Sequence, residues 1–234
     1  MPIDRIPVLD RTTHWVAVAK PSGIAVHRSK RTRADPEFVL QRLRDQIGAY
    51  VYPAHRLDRG TSGCLIFVFE PDWVPLMQEA LHRGTKQYIA HVRGHMASRE
   101  PTLCSEPLKR SHGGLQDAET WVQPVASCPD PRSSLVLAMP RTGRFHQVRR
   151  HLQHMSHPVL GDSARGDTRV NRTWRDTWGL RRLALHCLSI DIRTPAGRLS
   201  VCCPPPRELT EVWRALPWWN EAVIRLPELG AEPL

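Results

Sequence analysis

His55-Arg56-Leu57-Asp58-Arg59-Gly60-Thr61-Ser62-Gly63 runs directly into the apolar hexamer Cys64-Leu65-Ile66-Phe67-Val68-Phe69. One carboxylate stands between two arginines, with a Gly/Thr/Ser turn behind it and a buried strand behind the turn. The flanking cations favour the ionised form of Asp58, and Gly60 and Gly63 let the backbone bend tightly or approach a ligand closely. The product is a charged oxygen pre-set at a strand end. On spacing alone two readings stand: an Asp-Arg pair that closes a turn, or an acid placed for chemistry.

Outward from this stretch, 234 residues at 41% hydrophobic content support a real core, and a single domain over 1–226 with a frayed tail at 227–234 is expected. Thirty-three Lys+Arg against 23 Asp+Glu leave a net charge of +10. That balance suits a polyanion, nucleic acid first, although an ordinary basic enzyme has the same composition. The six cysteines are scattered without a C-x-x-C pair, so neither zinc nor a disulfide framework is expected. No run of about 18 apolar residues occurs, which points away from a membrane and toward a cytoplasmic protein.

Strand patterns recur through the chain with helical ones between them, so the class is α+β. Trp15–Ala19 opens as a strand. Asp35-Pro36 caps a helix through Leu40, Leu43 and Ile47 that stops at Gly48, and Asp72 caps a second through Val74, Met77 and Leu81. Lys86–Gly94 alternates as a strand with Tyr88, Ala90 and Val92 on one face; Tyr88 is either a core tyrosine or a functional one. Residues 95–114 read as a surface insertion, and strands over 119–122 and 134–139 are bounded by Pro124 and Pro140.

From about Phe145 to Ser156 a helix buries Phe145, Val148, Leu152 and Met155, leaving Gln147, His151 and His154 opposite. Arg149 falls on the border, partly desolvated and in need of a carboxylate. His146, His151, His154 and His157 lie among Arg144, Arg149 and Arg150, and such a cation cluster repels a metal ion, so no metal is expected. The six arginines of 165–182, interleaved with Trp174 and Trp178, suit either RNA contact or a solvated loop. A hairpin over 183–203 and a closing helix through Leu209, Val212, Trp213 and Leu216 complete the chain.

His55–Gly63 resembles the catalytic motif of the RluA-type pseudouridine synthases, which isomerise uridine to pseudouridine in RNA. Lys20–His27 and Thr142–Arg149 fall, in order, where that family has its other motifs. The likeness runs from about His14 to the prolines near Pro204. Val26–Ser29, Arg44–Gly48 and Gly161–Asp167 look like the branch that acts on tRNA, the tRNA pseudouridine synthase C type, although Arg165-Gly166 stands where many relatives have Tyr-Gly.

The resemblance implies a largely antiparallel, mixed central sheet with flanking helices and a catalytic cleft. It implies Asp58 as the essential carboxylate, either adding covalently or removing a ribose proton, with Arg149 paired to it and Tyr88 stacking on the flipped base. Arg56 is similar to the residue that fills the space the flipped nucleotide leaves. Arg28, Arg59, Arg144, His146 and Arg150 complete the expected RNA contacts. No cofactor is implied. The partner is RNA, tRNA first, with uridine 65 of the acceptor/T-stem region as target; ribosomal RNA, or non-catalytic RNA binding, is the alternative. Because the first strand begins so early, no S4 domain is expected, and a monomer is the default.

Overall fold

The structure, a computed structural model, describes residues 5–28, 35–110 and 112–232. The chain is α+β, with a mostly antiparallel sheet and six α-helices among the described residues. It divides into two compact units, the first holding the chain to Thr85 plus Cys187–Cys203, the second Lys86–His186 and the chain from Pro204.

In the first unit, β1 (Val8–Arg11) and β2 (Trp15–Lys20) lead to helix α1 (Val39–Ile47), β3 (Tyr52–Pro53), β4 (Ser62–Val68) and α2 (Trp73–Arg83). All seven residues of β4 are buried, which explains a run of apolar side chains without alternation: both faces are covered. Antiparallel pairing sets Trp15 opposite Val68 and Lys20 opposite Gly63. Gly63 has φ +113, and a Cβ there would stand 2.1 Å from the Cys187 carbonyl oxygen; only glycine fits this end of the strand. Helix α1 begins three residues later than Asp35-Pro36 predicts, after an extended Phe38 that caps nothing with its side chain. Asp35 is instead engaged in an ion pair with Arg59.

The second unit contains β5 (Thr85–Arg93), β6 (Thr102–Cys104), β7 (Leu108–Lys109), β8 (Leu115–Gln116), β9 (Thr120–Cys128), β10 (Ser133–Pro140), α3 (Gln147–His154) and α4 (Thr168–Trp178). Its strands are ordered β5-β10-β9-β6, all antiparallel, with Tyr88 opposite Ala138 and Arg93 opposite Ser133. Pro124 does not end its strand as expected. It sits where the β9–β10 register shifts between Leu135 and Val136, an irregularity that tolerates a missing N–H. The 95–114 insertion carries the short strands β6 and β7, and the Arg- and Trp-rich stretch is a helix rather than a loop. Asp167 caps α4 through the Arg169 and Val170 amides, and Trp174 is its buried residue.

The chain passes from the second unit to the first within β11 (Leu185–Thr194), which pairs with β12 (Gly197–Cys202) as the expected hairpin. It then adds α5 (Arg207–Arg214) and α6 (Trp219–Arg225) to the second unit. The tail expected to fray begins with a short 3-10 helix, Pro227–Gly230, whose Leu229 is buried. No described helix is long and apolar enough to cross a membrane.

Candidate active site

Lys20, at the end of β2, is 1% exposed. Its ammonium donates to the carbonyls of Pro21 at 2.7 Å, Arg59 at 3.2 Å and Thr61 at 2.8 Å. Three donors meet three acceptors, which satisfies a cation too costly to bury alone. Around this post the Ser22 hydroxyl donates to the Gly60 carbonyl at 2.8 Å, the Gly23 amide to the Arg59 carbonyl at 2.9 Å, and the Thr61 amide back to the Asp58 carbonyl at 3.0 Å. The backbone from Asp58 to Thr61 is therefore held from within, while Asp58 itself stays half-buried. Arg59 donates from Nε to the Gly23 carbonyl at 2.9 Å and lies 3.2 Å from Asp35. His55 Nε2 accepts from the Ile66 amide at 3.1 Å, which leaves the ring proton on Nδ1. Burial first, and the Arg56 charge second, lower the His27 pKa below its ordinary value.

The second unit supplies the other groups. His146 precedes α3 at φ 55, a left-handed conformation that strains a non-glycine residue by about 1–3 kcal/mol; its ring stacks on Phe145 at 3.7 Å. Gln147 holds the turn in place. Its Oε1 accepts from the Thr142 hydroxyl at 2.7 Å and the Arg144 amide at 2.9 Å, and its Nε2 donates to the Glu119 carbonyl and to Thr120 Oγ1. Thr120 in turn meets His151 Nδ1 at 2.9 Å, and His151 Nε2 reaches the Glu106 carbonyl at 3.0 Å. Since a carbonyl only accepts, Nε2 carries the proton and Nδ1 accepts from Thr120, so every buried polar atom of the chain Gln147–Thr120–His151 is satisfied with a neutral ring. Burial lowers the His151 pKa in the same sense.

Arg149 is nearly buried and forks onto Asp162, Nε to Oδ2 and Nη2 to Oδ1, both at 2.7 Å. Asp162 also accepts from the Ala164 and Arg165 amides. Burial pushes its carboxyl up, but the Arg149 bonds and those amides outweigh that and hold it below the usual carboxylate range. Arg144 donates from Nε to the Asp117 carbonyl and Arg150 from Nη1 to the Lys109 carbonyl.

Comparison with known proteins places the chain in one family. The sequence family described as RNA pseudouridylate synthase matches residues 14–154. The chain belongs to the RNA pseudouridylate synthase family. The tRNA pseudouridine synthase C of Haemophilus ducreyi is 37% identical over 211 residues, 81% of this chain and 86% of that protein. That of Vibrio cholerae is 34% identical over 94% of this chain and 98% of its own. The fold is shared with human RNA pseudouridylate synthase domain containing 1 (TM-score 0.71, 23% identity, 88% of this chain and 86% of that one) and 4 (TM-score 0.70, 22%, 97% and 95%).

As a pseudouridylate synthase, the chain distributes its expected site residues over both units. Asp58, Arg56, Arg59 and Arg28 belong to the first, Arg28 lying over the Phe38 ring at 5.5 Å. Tyr88, half-buried on β5, belongs to the second with Arg144, His146, Arg149 and Arg150. Gln147 and His151 were expected on the exposed face of their helix and are buried instead, because β9 covers that face through Thr120. Among the described residues no group of three or more His, Cys, Asp or Glu could hold a metal ion. Two supporting residues escaped sequence reasoning: Lys20, whose signal is a lysine closing an otherwise apolar strand, and Asp162, whose signal is an acid directly after Gly161, thirteen residues beyond Arg149.

Proposed function

We propose that this chain is a tRNA pseudouridine synthase in which Asp58 carries the chemistry, held ionised by Arg149, with Tyr88 against the flipped base. The reading is supported by the curated relatives, named for tRNA, that match most of its length. The observation that carries the role of Asp58 is the Lys20 post, which anchors the backbone directly after the acid.

Isomerisation breaks the bond from C1′ to N1 of the uracil, turns the ring, and forms a bond from C1′ to C5. The proton on C5 leaves and N1 gains one, so no oxidant, reductant or cofactor is needed. Asp58 serves either as a nucleophile, with its carboxylate adding covalently, or as a base toward a ribose proton. The Arg149 guanidinium, oriented by its fork onto Asp162, is in this reading the cation that keeps Asp58 ionised. Extruding the target uridine costs a few kcal/mol; Arg56 filling the vacated space, with Arg28, Arg59, Arg144, His146 and Arg150 on the phosphates, offsets that.

The test is chemical labelling of pseudouridine after incubation with total tRNA and, separately, ribosomal RNA. We expect product in tRNA, at uridine 65 of the acceptor/T-stem region, and none from Asp58→Asn, which folds and still binds RNA. Normal product from that variant would overturn the role of Asp58, and product in ribosomal RNA alone would overturn the substrate.

A further inference from the structure

The second unit contains a cavity of about 1010 Å³ that the reaction does not use. Arg93, Arg132, Arg165, His95 and His157 line it, with Trp174 in its wall, against a single carboxylate, Asp167. That carboxylate is already committed: it accepts from the Arg169 and Val170 amides and lies 3.6 Å from Arg93. The cavity is therefore cationic on balance. It is also a built feature. Gly94, at φ +97, leaves room for the His157 ring, because a Cβ there would come within 2.7 Å of Nδ1. His157 Nδ1 donates to the Arg93 carbonyl at 2.9 Å, which fixes the ring and leaves Nε2 for a ligand.

We propose that this cavity is a second RNA-docking site that takes phosphodiester groups of the substrate away from the target uridine, an inference that rests on the tRNA reading above. Guanidinium groups recognise phosphate oxygens through paired N–H donors, and three of them converge here with two imidazoles. Arg93 and Tyr88 share β5, five residues apart. At about 3.4 Å per residue they lie about 17 Å apart, on the order of five nucleotides along a stacked strand. The odd spacing in an unbroken ladder turns the two side chains to opposite faces of β5, so the cavity meets a part of the RNA separate from the target uridine.

The experiment measures equilibrium binding of unmodified tRNA by fluorescence anisotropy at 50–200 mM salt, which needs no turnover and so is read separately from the labelling assay. The double variant Arg93→Gln/Arg132→Gln is compared with Arg83→Gln, an exposed arginine of the first unit that pairs with Glu79. Both pocket side chains are exposed, and circular dichroism confirms that the variant folds. We expect the pocket variant to bind at least fivefold more weakly, with the slope of log K against log salt smaller by about 1.4–1.8, two phosphate contacts' worth. Arg83→Gln should change neither. A loss below fivefold, an unchanged slope, an equal loss in Arg83→Gln, or no tRNA binding by the parent overturns the proposal. So does unchanged tRNA affinity alongside lost binding of a poly-glutamate peptide, which would assign the cavity to an acidic protein. Parent protein that binds tRNA through the pocket but makes no pseudouridine would sink the enzymatic reading and leave the docking site standing.

Discussion

Replacing Asp162 with Asn, nearly the same in shape, removes the charge onto which a nearly buried guanidinium is forked by two bonds of 2.7 Å. With the Asp162 side chain 1% exposed and that of Arg149 9%, solvent does little to replace the lost carboxylate. Breaking one side of such a buried pair costs about 3–5 kcal/mol. For a chain of this length each kcal/mol moves the midpoint by about 2–4 °C, so Tm should fall by about 6–20 °C. Thermal and urea denaturation at pH 7 measure it. The depressed carboxyl adds a pH signature: its stabilisation is present above the ordinary value of 3.8 and lost as pH falls through and below it. Asp162→Asn should lack that acid-side component. Because the cost is that of a buried guanidinium stripped of its forked carboxylate, Arg149→Leu/Asp162→Leu should be more stable than Asp162→Leu alone. An Asp162→Asn protein within 1 kcal/mol of the parent, or a double variant no better than the single, would refute the reasoning.

His91 is fully buried, its ring edge-on to Trp174 at 4.8 Å and Trp218 at 5.3 Å, with neither ring nitrogen hydrogen-bonded among the described residues. Burial pushes its pKa down from 6.5 to about 3, so keeping the ring unprotonated adds no pH-dependent cost above pH 6.5 and stability falls by up to about 1.4 kcal/mol per pH unit below that, until about pH 3. The stability of His91→Leu relative to the parent should therefore rise by about 2 kcal/mol between pH 7 and pH 5 in urea titrations; a difference that is flat with pH defeats it. Lys20→Met leaves three carbonyls without their donor, a loss on the order of 3 kcal/mol at about 1 kcal/mol each at the low end. If Lys20 positions Asp58, kcat should fall more than tenfold with KM for tRNA within threefold; unchanged kcat in a destabilised protein would make the lysine structural only.

What lies close along the chain was legible in the sequence. The turn at Asp58, the fully apolar strand behind it, the alternation of β5 and the helix of Gln147–His154 depend on neighbours within a few residues, and local sterics and periodicity specify them. The family was legible for the same reason: its motifs are short contiguous runs. What escaped depends on which distant element covers a given face. Periodicity divides α3 into two faces, but only the packing of β9 shows that the face with Gln147 and His151 is also buried. A need for a carboxylate at Arg149 follows from its position, whereas the fork onto Asp162 follows from a loop that folds back over thirteen residues. Lys20 reads as the polar end of a strand until the ladder sets it opposite Gly63 and the loop carbonyls converge on its ammonium. Sequence determined which residues could do the chemistry; tertiary structure decided what holds them, because burial and hydrogen-bond satisfaction belong to pairs that only the folded chain brings together.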